Sequence, residues 1–219
     1  MRLLIINPNT TAAITALLER HAAQVAGPQV EICAVTARFG ASYIVCEDTY
    51  RVASDAVLDA WQTASSTGPA PDAVLIGCFG DPGLLALRAL CPVPVTGLAE
   101  AAFVEAARHG RFAIVTGGVR WKPILERLAG TLGYSARLAA VHTVAPSGAQ
   151  LAQDPAAART LLAQACCHAA QASDAKAVIL GGAGLAGMAA ELATDVPLPV
   201  IDSVLAGTRQ ALLRAAGGV

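Results

Sequence analysis

The residues best placed to do proton chemistry stand between Val74 and Gly83, in the run Val-Leu-Ile-Gly-Cys-Phe-Gly-Asp-Pro-Gly. An apolar run that ends in Gly-Cys-x-Gly and meets Asp81-Pro82 ahead of a helical pattern reads as a buried parallel strand handing over to a helix N-terminus. Cys78 then sits at the carboxyl end of a strand, where open α/β sheets bind ligands. Backbone N–H groups and the positive end of the following helix favour thiolate over thiol there. The sulfur is therefore expected to act as base or nucleophile near neutral pH. The alternative is a small buried residue, the usual condition of a free cysteine.

The elements that must position Cys78 follow a β-α alternation along the whole chain. Leu3–Ile6 is a short apolar strand that turns at Asn7-Pro8-Asn9-Thr10, with Asn9 or Thr10 able to cap a helix carrying Ile14, Leu17, Leu18, Ala22 and Val25. Gly27-Pro28 stops that helix, and Val30–Val35 is a second strand. Residues 36–48 form a loop at its carboxyl end, with Arg38, Gly40, Ser42 and Tyr43, before a helix to about Ser65. The Cys78 strand follows, then a helix at Leu84–Leu90, a Pro-bounded edge strand at Cys91–Val95 and a helix from Leu98 to His109. A second cycle runs from the Phe112–Val115 strand through a helix near Trp121–Leu132, a strand at Arg137–Val141 and a helix opened by Asp154-Pro155. It ends with a strand at Ala177–Leu180, a glycine-rich turn from Gly181 to Gly187, a strand at Pro199–Ile201 and a helix capped by Asp202 or Ser203.

Composition narrows the function classes. With 219 residues the chain allows one large domain or two lobes of about 100 residues. Hydrophobic residues make up 55% and charged residues 14%, ample for a core, yet no run approaches the ~18 apolar residues of a membrane span. A net charge of −1 and 4% aromatic residues supply neither a basic footprint nor a stacking platform for nucleic acid, so the expected partner is a small molecule. The stretch before Asn7-Pro8 is too short for a secretory signal, and the six cysteines form no C-x-x-C pair. Free thiols in a cytoplasmic protein follow, and His21, His109, His142 and His168 show no metal-ligand spacing.

The two cycles correspond in order. Leu75–Gly80 matches Ile179–Gly184 at an offset of 104, Pro94-Val95 matches Pro199-Val200 at 105, and Leu3–Asn7 matches Phe112–Thr116 at 109. Two α/β lobes related by a pseudo-twofold would each present strand ends to a shared cleft. Two thiols facing each other there could take a proton from one face of a carbon acid and return one to the other, which is racemisation.

Ile6-Asn7-Pro8-Asn9-Thr10, Gly77-Cys78-Phe79-Gly80-Asp81-Pro82-Gly83 and Leu180-Gly181-x-Ala183-Gly184 resemble the Asp/Glu/hydantoin racemase superfamily, above all its hydantoin and allantoin racemases. The resemblance implies two flavodoxin-like lobes, here residues 1–97 and 98–202, with the terminal helix (203–219) packed back on the first. It further implies an isomerase that needs no cofactor and forms a homo-oligomer. By position, the first catalytic cysteine is Cys78. Substrate contacts fall on Asn9, on Phe79 and Gly80, on Thr116, Gly117 and Gly118, and on Gly182, Ala183 and Gly184. Arg120, just past the Thr116 turn, suits carboxylate recognition.

The pattern's second cysteine falls at Gly182, which has no proton to give. Three readings follow. Racemisation or epimerisation persists with another group or water on the Gly182 face, for which Cys46, Tyr43, Arg120 and His142 are candidates. Otherwise a single thiol protonates an enediolate after decarboxylation, for which the superfamily's single-cysteine arylmalonate decarboxylase is the precedent, or the chain binds a small anion without catalysis. Gly182 to Gly187 also spells G-x-G-x-x-G with Asp202 twenty residues on, but only 17 residues follow Asp202, too few for a dinucleotide unit.

Overall fold

The computed structural model describes residues 1–218. It contains two four-stranded parallel sheets of identical topology. The first comprises β1 (Arg2–Asn7), β2 (Glu31–Thr36), β3 (Ala73–Ile76) and β4 (Val95–Gly97), in the order β2-β1-β3-β4. The second comprises β5 (Phe112–Gly117), β6 (Leu138–Val144), β7 (Ala177–Gly181) and β8 (Val200–Asp202), in the order β6-β5-β7-β8. The inner strands β1, β3, β5 and β7 read as near-continuous apolar runs because helices cover both of their faces.

Helices α1 (Ala12–Ala26), α2 (Glu47–Thr67), α3 (Leu84–Leu90) and α4 (Leu98–Ala107) follow the strands of the first cycle. In the second, α5 (Trp121–Thr131), α6 (Gly148–Gln153), α7 (Pro155–Ala172), α8 (Met188–Leu192) and α9 (Ser203–Ala215) do so. On α1 the buried Ile14, Leu18 and Ala22 recur every four residues, which sets one stripe on the sheet. The N-cap of α1 is Thr11, one residue past Thr10 and two past Asn9, the two expected caps. Asn9 serves the turn instead, its Oδ1 accepting from the Thr11 N–H at 2.9 Å. Asp202 caps α9, accepting from Val204 and Leu205, and Asp154 caps α7.

The helix after the last strand of each sheet crosses to the other sheet. Helix α4 packs on β7 and α9, while α9 packs on α1 and β3. Seven of ten α4 residues are therefore buried, and its Phe103 stacks on Phe112 of β5 with centroids 5.3 Å apart. The central core spans both sheets, joining Leu3 and Ile5 to Phe103, Phe112, Ile179 and Val204, and each sheet has a smaller core on its outer face. Among the described residues no helix is long and apolar enough to cross a membrane.

Candidate active site

In a sheet ordered β2-β1-β3-β4, chain direction around the sheet reverses between β1 and β3, and a crevice opens beyond their carboxyl ends. The second sheet does the same between β5 and β7. The two crevices meet in one cleft of about 70 Å3, lined from the four strand ends by Asn9, Gly77, Cys78, Phe79, Thr116, Gly117, Ala183 and Gly184. Ile14, Tyr43, Ile44, Val45, Trp121, Ser147 and Gly148 complete its wall. Among the described residues, none of these side chains carries a formal charge, and Cys78 is the one thiol on the wall.

Polar side chains lock the end of β1 and tie β5 to β7. Asn7, fully buried, donates through Nδ2 to Asn9 Oδ1 at 3.0 Å and to Thr15 Oγ1 at 3.0 Å, and its own Oδ1 accepts the Asn9 N–H. Asn9 Oδ1 is thus occupied twice, which leaves its amide N–H2 as the donor available to the cleft. Thr116 Oγ1 donates to the Gly181 carbonyl at 2.7 Å, tying β5 to β7. The loop with Tyr43 is pinned to the Asn7 turn by Thr11 Oγ1, which donates to the Ser42 carbonyl at 2.7 Å.

The lobes interlock through aromatic side chains on glycines. The Phe79 ring lies against Gly181, where an added Cβ would overlap it, and Trp121 covers Gly80, whose added Cβ would meet the indole at 2.6 Å. Tyr50 donates its hydroxyl to the Gly80 carbonyl at 2.8 Å and meets Trp121 edge-on. Arg127 of α5 pairs with both oxygens of Glu47 on α2 at 2.8 Å, across the lobes at the rim.

Cys78 is 8% exposed. Burial first, and then the charge of Asp81, push its thiol well up from the ordinary value, so the sulfur rests protonated. This corrects the expected thiolate. Helix α3 begins six residues past the sulfur with Gly83 as its N-cap, so its dipole does not offset the desolvation.

The opposite wall is formed at the turn that follows β7. Gly182 has φ 149°, donates its N–H to Ser203 Oγ at 3.3 Å, and has Leu185 Cγ and Cδ1 within 3.3 Å of an added Cβ. Its neighbours Ala183 and Gly184 line the cleft, and Gly182 itself does not. Of the other expected site residues, Gly80 and Gly118 shape the wall by contacting Trp121. Arg120 is exposed at the N-cap of α5 and does not line the cleft, because the helix start turns its side chain to solvent. Of the candidates for the second face, Tyr43 lines the cleft. Cys46 is the N-cap of α2, and His142 lies on edge strand β6 against His168 with ring centroids 5.2 Å apart. Sequence reasoning missed Trp121, Ile44, Val45, Ser147 and Gly148. The only signal for them was their place in loops or helix starts after strand ends.

Comparison with known proteins agrees with this geometry. A family model described as Asp/Glu/hydantoin racemase matches residues 3–211. A hydantoin racemase of Paenarthrobacter aurescens is 35% identical over 212 residues, covering 96% of this chain and 89% of its own. The crystal structure of allantoin racemase from Pseudomonas fluorescens superposes with a TM-score of 0.94 at 31% identity, over all of this chain and 92% of that one. A liganded mutant of arylmalonate decarboxylase shares the fold, with a TM-score of 0.73 at 19% identity over all of this chain and 94% of that one.

Proposed function

We propose, since this chain belongs to the Asp/Glu/hydantoin racemase family, that it moves the proton on a carbon flanked by carbonyl groups in a hydantoin-like ring, with Cys78 as the acid/base. It is an isomerase of the type that uses side chains in place of a cofactor. The observation that carries the reading is one titratable thiol at a buried strand end, facing the Ala183-Gly184 turn across a small neutral cleft. A neutral ring suits this wall better than aspartate or glutamate, because no lining cation offsets a substrate carboxylate.

In the reaction Cys78 first gives its resting proton to water, and the thiolate so formed removes the carbon-bound proton. Negative charge moves to the adjacent carbonyl oxygen, within reach of donors such as the Asn9 amide. The resulting S–H exchanges with solvent or returns its proton to the same face. The opposite face, at the turn 182–184, has no thiol, so solvent supplies its proton more slowly. Exchange of the carbon-bound hydrogen therefore runs ahead of loss of optical rotation. The test is deuterium incorporation into enantiopure 5-substituted hydantoins and allantoin in D2O, wild type against Cys78→Ala, with rotation followed in parallel.

A second reading is favoured by two observations together: a turn without a thiol, Ala183-Gly184, on one side of the cleft and a resting thiol on the other. A protonated Cys78 is ready to quench a carbanion made by loss of carboxylate, which is single-cysteine decarboxylation of an arylmalonate. Release of CO2 with Cys78-dependent protonation would establish it. A cytoplasmic homo-oligomer completes the proposal, and light scattering of the purified protein tests the assembly.

A further inference from the structure

Three residues beyond Cys78, Asp81 is 2% exposed and holds φ 53°, the one positive φ outside glycine among the described residues. That backbone is uncommon for a residue with a Cβ, and a buried carboxylate is costly, so something must over-determine both. The surroundings do. Its N–H donates to the Cys78 carbonyl at 3.1 Å, closing the Cys-Phe-Gly-Asp turn. Its two carboxylate oxygens accept separately from the Ala99 and Glu100 N–H groups, each at 2.8 Å, at the start of α4. An added Cβ at Gly97 would overlap the carboxylate, so β4 ends in the residue that leaves room for it.

The helix Asp81 serves is not the one it precedes. It stands ahead of α3, yet it caps α4, the helix that crosses to the second sheet. Glu100, whose N–H it holds, is itself buried between Arg88 at 2.5 Å and Arg214 of α9 at 2.8 Å. The Cys78 turn is thereby fastened to α4 through the Asp81 carboxylate, and α4 in turn to α9 through the Glu100 carboxylate.

We propose that Asp81 is a positioning residue: its carboxylate, clamped on the N-terminus of α4, fixes the turn that aims Cys78 into the cleft and sets the electrostatic surroundings of the sulfur. This rests on the reading of Cys78 as the reacting group. Once ionised, above about pH 7, the Asp81 carboxylate opposes thiolate formation and keeps Cys78 as the thiol at rest.

The test is the pH dependence of Cys78 alkylation by iodoacetamide, read on the Cys78 peptide by mass spectrometry, with Cys166 in the outer core as internal control. In Asp81→Asn the profile is expected to move to lower pH, making Cys78 react about tenfold faster near pH 8, while Cys166 is unchanged. Gly97→Ala, which displaces the carboxylate without altering any titratable group, should move the profile the same way and deprotect the Ala99 and Glu100 amides to hydrogen exchange. It decides the matter if Asp81→Asn does not fold. A folded variant whose Cys78 profile overlays that of the wild type overturns the proposal. Alkylation reads the sulfur whether or not a carbon acid is turned over. A shifted profile in a protein inert toward hydantoins therefore sinks only the reaction and leaves the role of Asp81 standing.

Discussion

Placing cysteine at Gly182 tests the proposal that the face opposite Cys78 lacks a second thiol. Any side chain there must accept φ 149°, a conformation nearly confined to glycine, at a cost of about 1–3 kcal/mol. The new Cβ meets Leu185 Cγ and Cδ1 at 3.3 Å, a contact that the side chain relieves by giving way a few tenths of an ångström. Gly182→Cys should therefore fold with a Tm roughly 2–10 °C below wild type. A positioned acid/base contributes about 10²–10⁴ in rate, so loss of rotation of a 5-alkylhydantoin should accelerate at least about 100-fold and approach the rate of deuterium incorporation. Proton NMR in D2O gives incorporation, polarimetry gives rotation, and thiol titration confirms that the new cysteine is reduced. A folded Gly182→Cys protein with a free thiol and an unchanged ratio of the two rates would refute the assignment of Gly182 to the second face.

Other outcomes follow from the same geometry. Because Cys78 rests protonated, hydantoin exchange should rise with pH through and beyond neutrality, about tenfold per pH unit, whereas decarboxylation by the thiol form would be flat over that range; initial rates across pH separate them. Burial, opposed by the Ala99 and Glu100 N–H groups, raises the Asp81 carboxyl from 3.8 to about 7. Between those values the folded state binds more protons than the unfolded, so this group makes stability fall as pH rises, by at most about 4 kcal/mol. The difference between denaturation curves of wild type and Asp81→Asn should narrow with rising pH across that window, and a constant difference would refute it. Phe103→Ala, emptying the stacked centre shared by both sheets, should cost about 3–5 kcal/mol in urea denaturation; a cost below 1 kcal/mol would show that the sheets do not share a core.

Much of the fold was legible because buried parallel strands announce themselves as short apolar runs and because the chain repeats. The offsets of 104, 105 and 109 match strands that occupy equivalent places in two sheets of one topology. Cys78 at the end of β3 was readable for the same reason. Short elements were not: α6 and α8 have five or six residues and no full period of apolar spacing, so they read as loop. Trp121 in a helical pattern reads equally as core or wall, and only the docking of one lobe on the other settles that it covers Gly80 and lines the cleft. Arg120 misled because proximity in sequence to the Thr116 turn does not fix which way a helix start points its side chain. The state of the Cys78 sulfur misled because a dipole is visible in sequence, while burial and the folded-back Asp81 are not.

Deuterium incorporation at C5 of an enantiopure 5-substituted hydantoin, with wild type and Cys78→Ala side by side, decides whether Cys78 moves a carbon-bound proton. Expected is incorporation that is lost in Cys78→Ala down to the spontaneous rate and that, in wild type, outpaces loss of rotation. Incorporation at equal rates in both proteins would contradict the assignment of Cys78.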